Sequence, residues 1–255
     1  MGTWGRWGRA REGTLSKVHD RFAETLAALK AIKQGGKREP PAWTTYPHMS
    51  RTGTARPKAP TKRPFPKGRI VAVYDYCDHV GALLFQVVRF DPKDFRQRVP
   101  KPEGGWRWHL GGMPRVLFRL PQVLHTVGQG GLVVVCEGEK DALAVARLGL
   151  CTTTCSEGAG AWEQSFSETL VGAGLVAILP DNDQPGRAHA AMVARSLVRH
   201  RVAVRVIALP DLPEHGDASD WIAAGGTVVQ LLNLIRHTPP WHTPGGTLLD
   251  HIAQD

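Results

Sequence analysis

The sequence predicts an α/β fold: a parallel sheet covered by helices over residues 131–237, preceded by a small basic β-rich subdomain over residues 69–130. Three observations carry this. From Leu132 onward, short apolar runs alternate with amphipathic stretches, the arrangement that builds a parallel sheet with covering helices. Before it, period-two alternation around a turn marks paired strands. The charge also changes sign between the halves. Residues 1–130 carry 24 Lys/Arg against 9 Asp/Glu, a net +15, whereas residues 131–255 carry 8 against 14, a net −6.

Taken in order, residues 1–68 form a basic segment that opens on Trp4, Gly5, Arg6, Trp7, Gly8 and Arg9 and holds one candidate helix, Val18 to Lys33, apolar at Phe22, Leu26, Leu29 and Ile32. From Gly35 to Lys67 no hydrophobic period is sustained, as in a tether that lacks the apolar surface to order itself. IVAVYDYCDHVGALLFQVVRF then reads as a β-hairpin turning at Asp78-His79-Val80-Gly81. PKDFRQRVPKPEGGWRWHLGGMPRVLFRL predicts more sheet, with Trp106 and Trp108 at period two, before a short helix around Leu120 to His125. LVVVC, LVAILP and VAVRVIALP are three strands; EKDALAVARLG, GRAHAAMVARSLVRH and TVVQLLNLIRH are their helices. Residues 238–255 form a C-terminal tail.

Two acidic motifs fall at strand-to-helix transitions, where parallel sheets gather ligands. In Cys136-Glu137-Gly138-Glu139-Lys140-Asp141-Ala142, Glu137 projects from the strand end, Gly138 permits the turn and Asp141 sits in the first helical turn, favoured by the helix dipole. A capped helix start with solvated acids would read the same way. In Pro180-Asp181-Asn182-Asp183-Gln184-Pro185-Gly186-Arg187, persisting strand geometry would put Asp181 and Asp183 on one face, about 7 Å apart between Cα atoms. Such carboxylates repel unless a cation lies between them, and an oxygen-only set suits Mg2+ or Mn2+ better than zinc. A capping turn is the alternative. Both motifs together arise by chance on the order of once per thousand chains of this length.

With these motifs the chain resembles the Toprim fold of bacterial-type primases, type IA and type II topoisomerases and some nucleases. The resemblance implies that Glu137 is a metal ligand or general acid/base, that Asp181 and Asp183 are metal ligands, and that Asp141 supports them. Gly216-Asp217-Ala218-Ser219-Asp220-Trp221 is similar to the downstream acidic segment of the primase branch, implying a second metal position at Asp217 and Asp220. Ser219 as an N-cap with Asp220 in the first turn would explain the same cluster structurally.

The segment before Leu132 is similar to the amino-terminal half of the catalytic core in primases and primase-helicases of phages and mobile elements, where it forms a basic wall of the template cleft. Carried across, Lys93, Arg96, Arg98, Arg115 and Arg119, with Lys140 and Arg187 beside the acids, are candidate contacts to nucleic acid or nucleotide phosphate; as isolated residues they read as solvated surface charges. The activity implied is metal-dependent primer synthesis on a single-stranded DNA template from nucleoside triphosphates, with a separate replicative helicase as a candidate partner. The rivals are a Toprim-type nuclease and a non-catalytic nucleic-acid-binding or helicase-docking module.

Several classes are disfavoured. Residues 1–68 contain no cysteine for a zinc ribbon, and no Gly-rich loop ends in Lys-Ser/Thr, so neither a zinc ribbon nor an ATPase motor is expected here. The three tyrosines, Tyr46, Tyr74 and Tyr76, all lie upstream of the acids, which argues against a topoisomerase nucleophile. Cys151 and Cys155 form a lone Cys-x3-Cys pair and read as packing residues. Four unpaired cysteines, no apolar run of membrane length and no signal-like leader predict a cytoplasmic protein without membrane contact.

Overall fold

Two four-stranded sheets organise the computed structural model, which describes residues 68–242 except 159. The candidate helix at 18–33, the tether at 35–67 and most of the C-terminal tail lie outside the described residues.

The first sheet is antiparallel, in the order β1 (Arg69–Cys77), β2 (Leu83–Asp91), β3 (Asp94–Pro100), β4 (Trp106–Arg107). Its opening hairpin closes where expected: the Asp78 carboxylate accepts from the N–H groups of Val80 at 3.0 Å and Ala82 at 2.8 Å. Register then decides which side chains share a face. Tyr76 pairs with Phe85, Tyr74 with Val87, Val87 with Gln97, and Arg89 with Phe95. Those residues form one face, and Asp75, Gln86, Arg96 and Arg98 alternate onto the other.

The second sheet is parallel, in the order β6-β5-β7-β8, built from β5 (Leu132–Cys136), β6 (Cys151–Thr153), β7 (Leu175–Leu179) and β8 (Val204–Val206). Its helices are α1 (Leu120–Gly128), α2 (Glu139–Ala146), α3 (Gln164–Thr169), α4 (Gln184–Arg199), α5 (Ala218–Ala223) and α6 (Val228–His237). Both β5 and β7 are buried on both faces, as continuous apolar runs require in a covered sheet. Val133, Val176, Phe166, Leu170, Val193 and Leu197 form its core, and each such burial is worth roughly 1.5–3 kcal/mol.

Three expectations are corrected. A fourth strand, β6, and the helix α3 stand where no element was assigned, because Cys-Thr-Thr is too short and polar to show a period. The third expected strand shrinks to Val204–Val206: Leu209-Pro210 cannot continue a ladder, and Arg205 turns aside to donate to the carbonyls of Ile235 and Arg236. Finally, α1 runs to Gly128, about a turn beyond His125.

The sheets are joined by aromatic packing. Tyr76 stacks on Phe85 with centroids 4.5 Å apart and meets Phe118 at 5.2 Å, and its hydroxyl donates to Glu139 Oε1 at 2.8 Å. Gln97 reaches Ser156 from the same face. The hairpin face bearing Tyr74, Tyr76, Arg89 and Gln97 is thus the one turned toward the acids.

Candidate functional site

Glu137 follows the last residue of β5, and Asp181 and Asp183 follow β7 in the adjacent strand, so the parallel register brings both motifs to one sheet edge. The extended geometry expected across Asp181–Asp183 does not persist. The Asp183 N–H folds back onto the Asp181 carbonyl at 2.8 Å, and Asp183 becomes the N-cap of α4, its Oδ1 accepting from Gly186 N at 2.7 Å. Pro185 starts the helix without wasting a donor. Gly186 is obligatory for a different reason: a Cβ there would lie 2.7 Å from the Asp181 carbonyl oxygen, 2.8 Å from Glu137 Oε2 and 3.0 Å from Asp183 Oδ1.

The electrostatics are those of a site awaiting positive charge. Burial raises the pKa of Asp181 to about 7, reinforced by the charges of Glu137, Asp141, Asp217 and Asp183. Burial and Asp183 also raise Glu137, against the pull of the Asp181 N–H and Lys93. Asp183 is held below the usual carboxylate range by the Gly186 N–H and His215, whose Nδ1 lies 3.3 Å from its Oδ2. Among the described residues, Glu137 Oε2 is the only buried side-chain polar atom without a hydrogen-bond partner. A buried oxygen left so costs about 1–3 kcal/mol unless a ligand completes it.

The downstream cluster joins the same edge through α5. Asp217, not Ser219, is the N-cap, and it forms a capping box with Asp220. Ser219 instead donates its N–H to Asp141 Oδ1 at 3.1 Å and its hydroxyl to Asp217 Oδ1 at 2.6 Å. Burial and the Asp217 charge raise the pKa of Asp141, whereas Asp217, despite burial, is held low by Lys140, Ser219, the Asp220 N–H and Asp141. The two neighbouring carboxyls are thus pushed in opposite directions, Asp141 up and Asp217 down.

The donor set fits a divalent hard cation. It is all oxygen, one of its oxygens is orphaned, and burial together with neighbouring acids raises the pKa values of Glu137 and Asp181. Glu137, Asp181 and Asp183 would hold the ion, with Asp141, Asp217 and Asp220 adjoining. Among the described residues no three His, Cys, Asp or Glu side chains already stand at mutual ligand spacing, so these acids adjoin without converging on a preformed point.

The basic residues divide. Lys93 is close enough to bias Glu137, Arg187 influences Asp183 while donating to Asn182 Oδ1 at 3.3 Å, and Lys140 sits on Asp217. Arg115 is committed to Glu157 at 2.7 Å and Glu163 at 2.9 Å, and Arg119 to Thr152 at 2.8 Å. Arg96 pairs with Asp94, and Arg98 lies over Trp106 at 4.0 Å, both on the sheet face opposite Tyr76.

The sequence reading missed Arg89 and Phe95. The Arg89 guanidinium lies 5.8 Å from the centroid of Phe95, which is 42% exposed, on the face toward the acids. It also misplaced the tyrosines: folding of the hairpin carries Tyr76 to Glu139, two residues from Glu137. Tyr76 is nonetheless fully buried, its pKa raised by burial and by Glu139, so it is no exposed nucleophile. Cys151 and Cys155 pack with the core as free thiols. Among the described residues no helix is long and apolar enough to cross a membrane.

Comparison with known proteins places this geometry. Residues 134–222 match the family described as Toprim-like. No curated protein matches by sequence. The primase of Aquifex aeolicus (zinc-binding and RNA polymerase domains) superposes with a TM-score of 0.53 at 22% identity, covering 66% of this chain and 40% of that one. A DNA primase domain from Pseudomonas aeruginosa gives 0.51 at 20% identity, covering 66% and 51%. The DnaG primase catalytic domain bound to single-stranded DNA gives 0.51 at 19%, covering 66% and 51%. The chain thus spans about two fifths to one half of those chains, and at these identities the likeness is one of fold. Residues 134–222 form a Toprim-like domain, within an α/β fold shared with bacterial primase catalytic cores.

Proposed function

We propose that the chain is a primase-like nucleotidyltransferase that makes oligoribonucleotide primers on single-stranded DNA in the replication of a mobile element or phage, using Mg2+ or Mn2+ held by Glu137, Asp181 and Asp183. The observation that carries this reading is the orphaned Glu137 Oε2 beside Asp181, whose pKa is raised by burial and by the Glu137 charge. A scaffold has no physical need to keep such acids together. When bound, a divalent cation would neutralise the acids and polarise the triphosphate for attack by a 3′-hydroxyl.

The chain's own residues supply positioning. Lys93 and Arg187, at the margins of the site, offer charge to phosphate. Arg89 and Phe95, on the hairpin face turned toward the acids, combine a guanidinium with a half-exposed ring, the pairing that holds a phosphate and stacks a base. Arg96 and Arg98 support the opposite face, and Arg115 and Arg119 brace the fold through their own partners.

The test is incorporation of labelled nucleoside triphosphates on single-stranded DNA with Mg2+ or Mn2+, comparing the wild type with Asp181→Ala/Asp183→Ala. Metal-dependent synthesis lost in the double variant supports the reading. Degradation of labelled DNA without incorporation would assign the same acids to hydrolysis, and metal-independent binding without turnover would leave a binding module.

A further inference from the structure

The two acidic groups at this edge differ in one respect: the downstream group already holds a cation. Lys140 Nζ donates to Asp217 Oδ2 at 2.5 Å. Asp217 Oδ1 accepts from Ser219 Oγ at 2.6 Å and Asp220 N at 3.0 Å, Asp220 Oδ2 accepts from Asp217 N at 3.1 Å, and Asp141 Oδ1 accepts from Ser219 N. Glu137 Oε2, by contrast, has no partner. One group already holds an ammonium on Asp217; in the other, Glu137 Oε2 is left without a partner.

We propose that Lys140 is a resident counter-cation that keeps a second divalent metal out of the Asp141, Asp217 and Asp220 cluster until a nucleotide phosphate draws the ammonium away. The free protein then loads one metal, at Glu137, Asp181 and Asp183, and the second only with nucleotide. This rests on the metal-site reading above.

Three features support the assignment. Lys140 lies in the first turn of α2 and Asp217 caps α5, so the contact bridges two helix N-termini, whose positive ends give no help to an ammonium; the carboxylates hold it there. Both Asp217 oxygens are already engaged, Oδ2 by the Lys140 ammonium and Oδ1 by Ser219 Oγ and Asp220 N, so the ammonium stands where an entering cation would have to bind. The Lys140 side chain is also 43% exposed against 16% for Asp217, so the lysine can swing toward solvent while the carboxylate stays. A metal entering beside it would meet a like charge a few ångströms away, which weakens its binding by about tenfold or more in a half-exposed site. Phosphate, with several negative oxygens, competes with Asp217 for the ammonium and removes that penalty.

The experiment is Mn2+ titration of the full chain, followed by electron paramagnetic resonance of free Mn2+, with thermal unfolding in parallel. Wild type and Lys140→Arg are expected to bind one Mn2+ tightly. Lys140→Gln is expected to bind two, the second tightened by about tenfold or more. Mn2+ should also raise the melting temperature of Lys140→Gln more than that of wild type, because the ion replaces the lost cation. Equal stoichiometry and affinity in wild type and Lys140→Gln, or a destabilised Lys140→Gln that Mn2+ does not recover, would overturn the proposal and leave Lys140 a clasp between α2 and α5. Absence of Mn2+ binding in every variant would instead overturn the metal-site reading beneath it.

Discussion

Replacing Asp181 by Asn should stabilise the metal-free protein at pH 8 and, in the same molecule, abolish stabilisation by Mg2+. A carboxyl whose folded pKa lies above its unfolded value contributes stability that is complete below the unfolded value and lost as pH rises through the folded one. For Asp181 that window runs from the ordinary 3.8 to about 7. At 1.36 kcal/mol per pH unit the interval amounts to about 4 kcal/mol for a closed interior; the site is open on one side, and screening reduces this to on the order of 2 kcal/mol. For a domain of this size that corresponds to roughly 4–8 °C in melting temperature. The assay is thermal unfolding of wild type and Asp181→Asn in EDTA and in Mg2+, at pH 5 and pH 8. At pH 5, which lies about a third of the way through that window, the substitution should stabilise by about a third as much as at pH 8. Destabilisation of Asp181→Asn in EDTA at pH 8, or equal Mg2+ stabilisation of both proteins, would refute the reasoning.

Other perturbations separate roles that the geometry assigns. Gly186→Ala places a methyl against Glu137 Oε2 and the Asp181 carbonyl, so Mn2+ affinity measured by calorimetry should fall at least tenfold while the circular dichroism spectrum stays native. Tyr76→Phe leaves the buried Glu139 without its phenolic donor, which should cost about 1–3 kcal/mol in urea denaturation. Arg89→Ala should weaken binding of single-stranded DNA and lower the salt slope by about 1, read by fluorescence anisotropy across an ionic-strength series. Arg98→Ala, which removes a guanidinium packed on Trp106 and bonded to Gln86, should instead lower stability and leave the slope intact.

The acids were legible because their signal is local. A buried strand, a turn and a helix start adjoin within each motif, and parallel pairing of β5 with β7 joins the two. The faces of the basic strands were not legible, because face parity in a strand inverts with a shift of one residue. Arg96 and Arg98 alternate with Phe95 and Gln97, so composition flagged the strand without showing which face each residue joins. Arg89 shows its role only through pairing with Phe95 across the hairpin, and Tyr76 reaches Glu139 across 63 residues of sequence. Ser219 and Asp217 are both good N-caps; what decides between them is that Asp217 stands three residues before Asp220, with which it closes a capping box. The strand β6 escaped notice because Thr152 and Thr153 bury their hydroxyls by donating to the carbonyls of Ala142 and Phe118, partners outside any local pattern.

We propose that a divalent ion sits among Glu137, Asp181 and Asp183. Localised hydroxyl-radical cleavage tests it most directly: Fe2+ replaces the native ion, peroxide and ascorbate generate radicals at the bound iron, and the cut positions are read by mass spectrometry. Cuts concentrated at residues 137–141 and 181–186, suppressed by excess Mg2+ and lost in Asp181→Asn, are the predicted result. Cleavage clustered elsewhere, or unaffected by Mg2+ and by Asp181→Asn, would contradict the account.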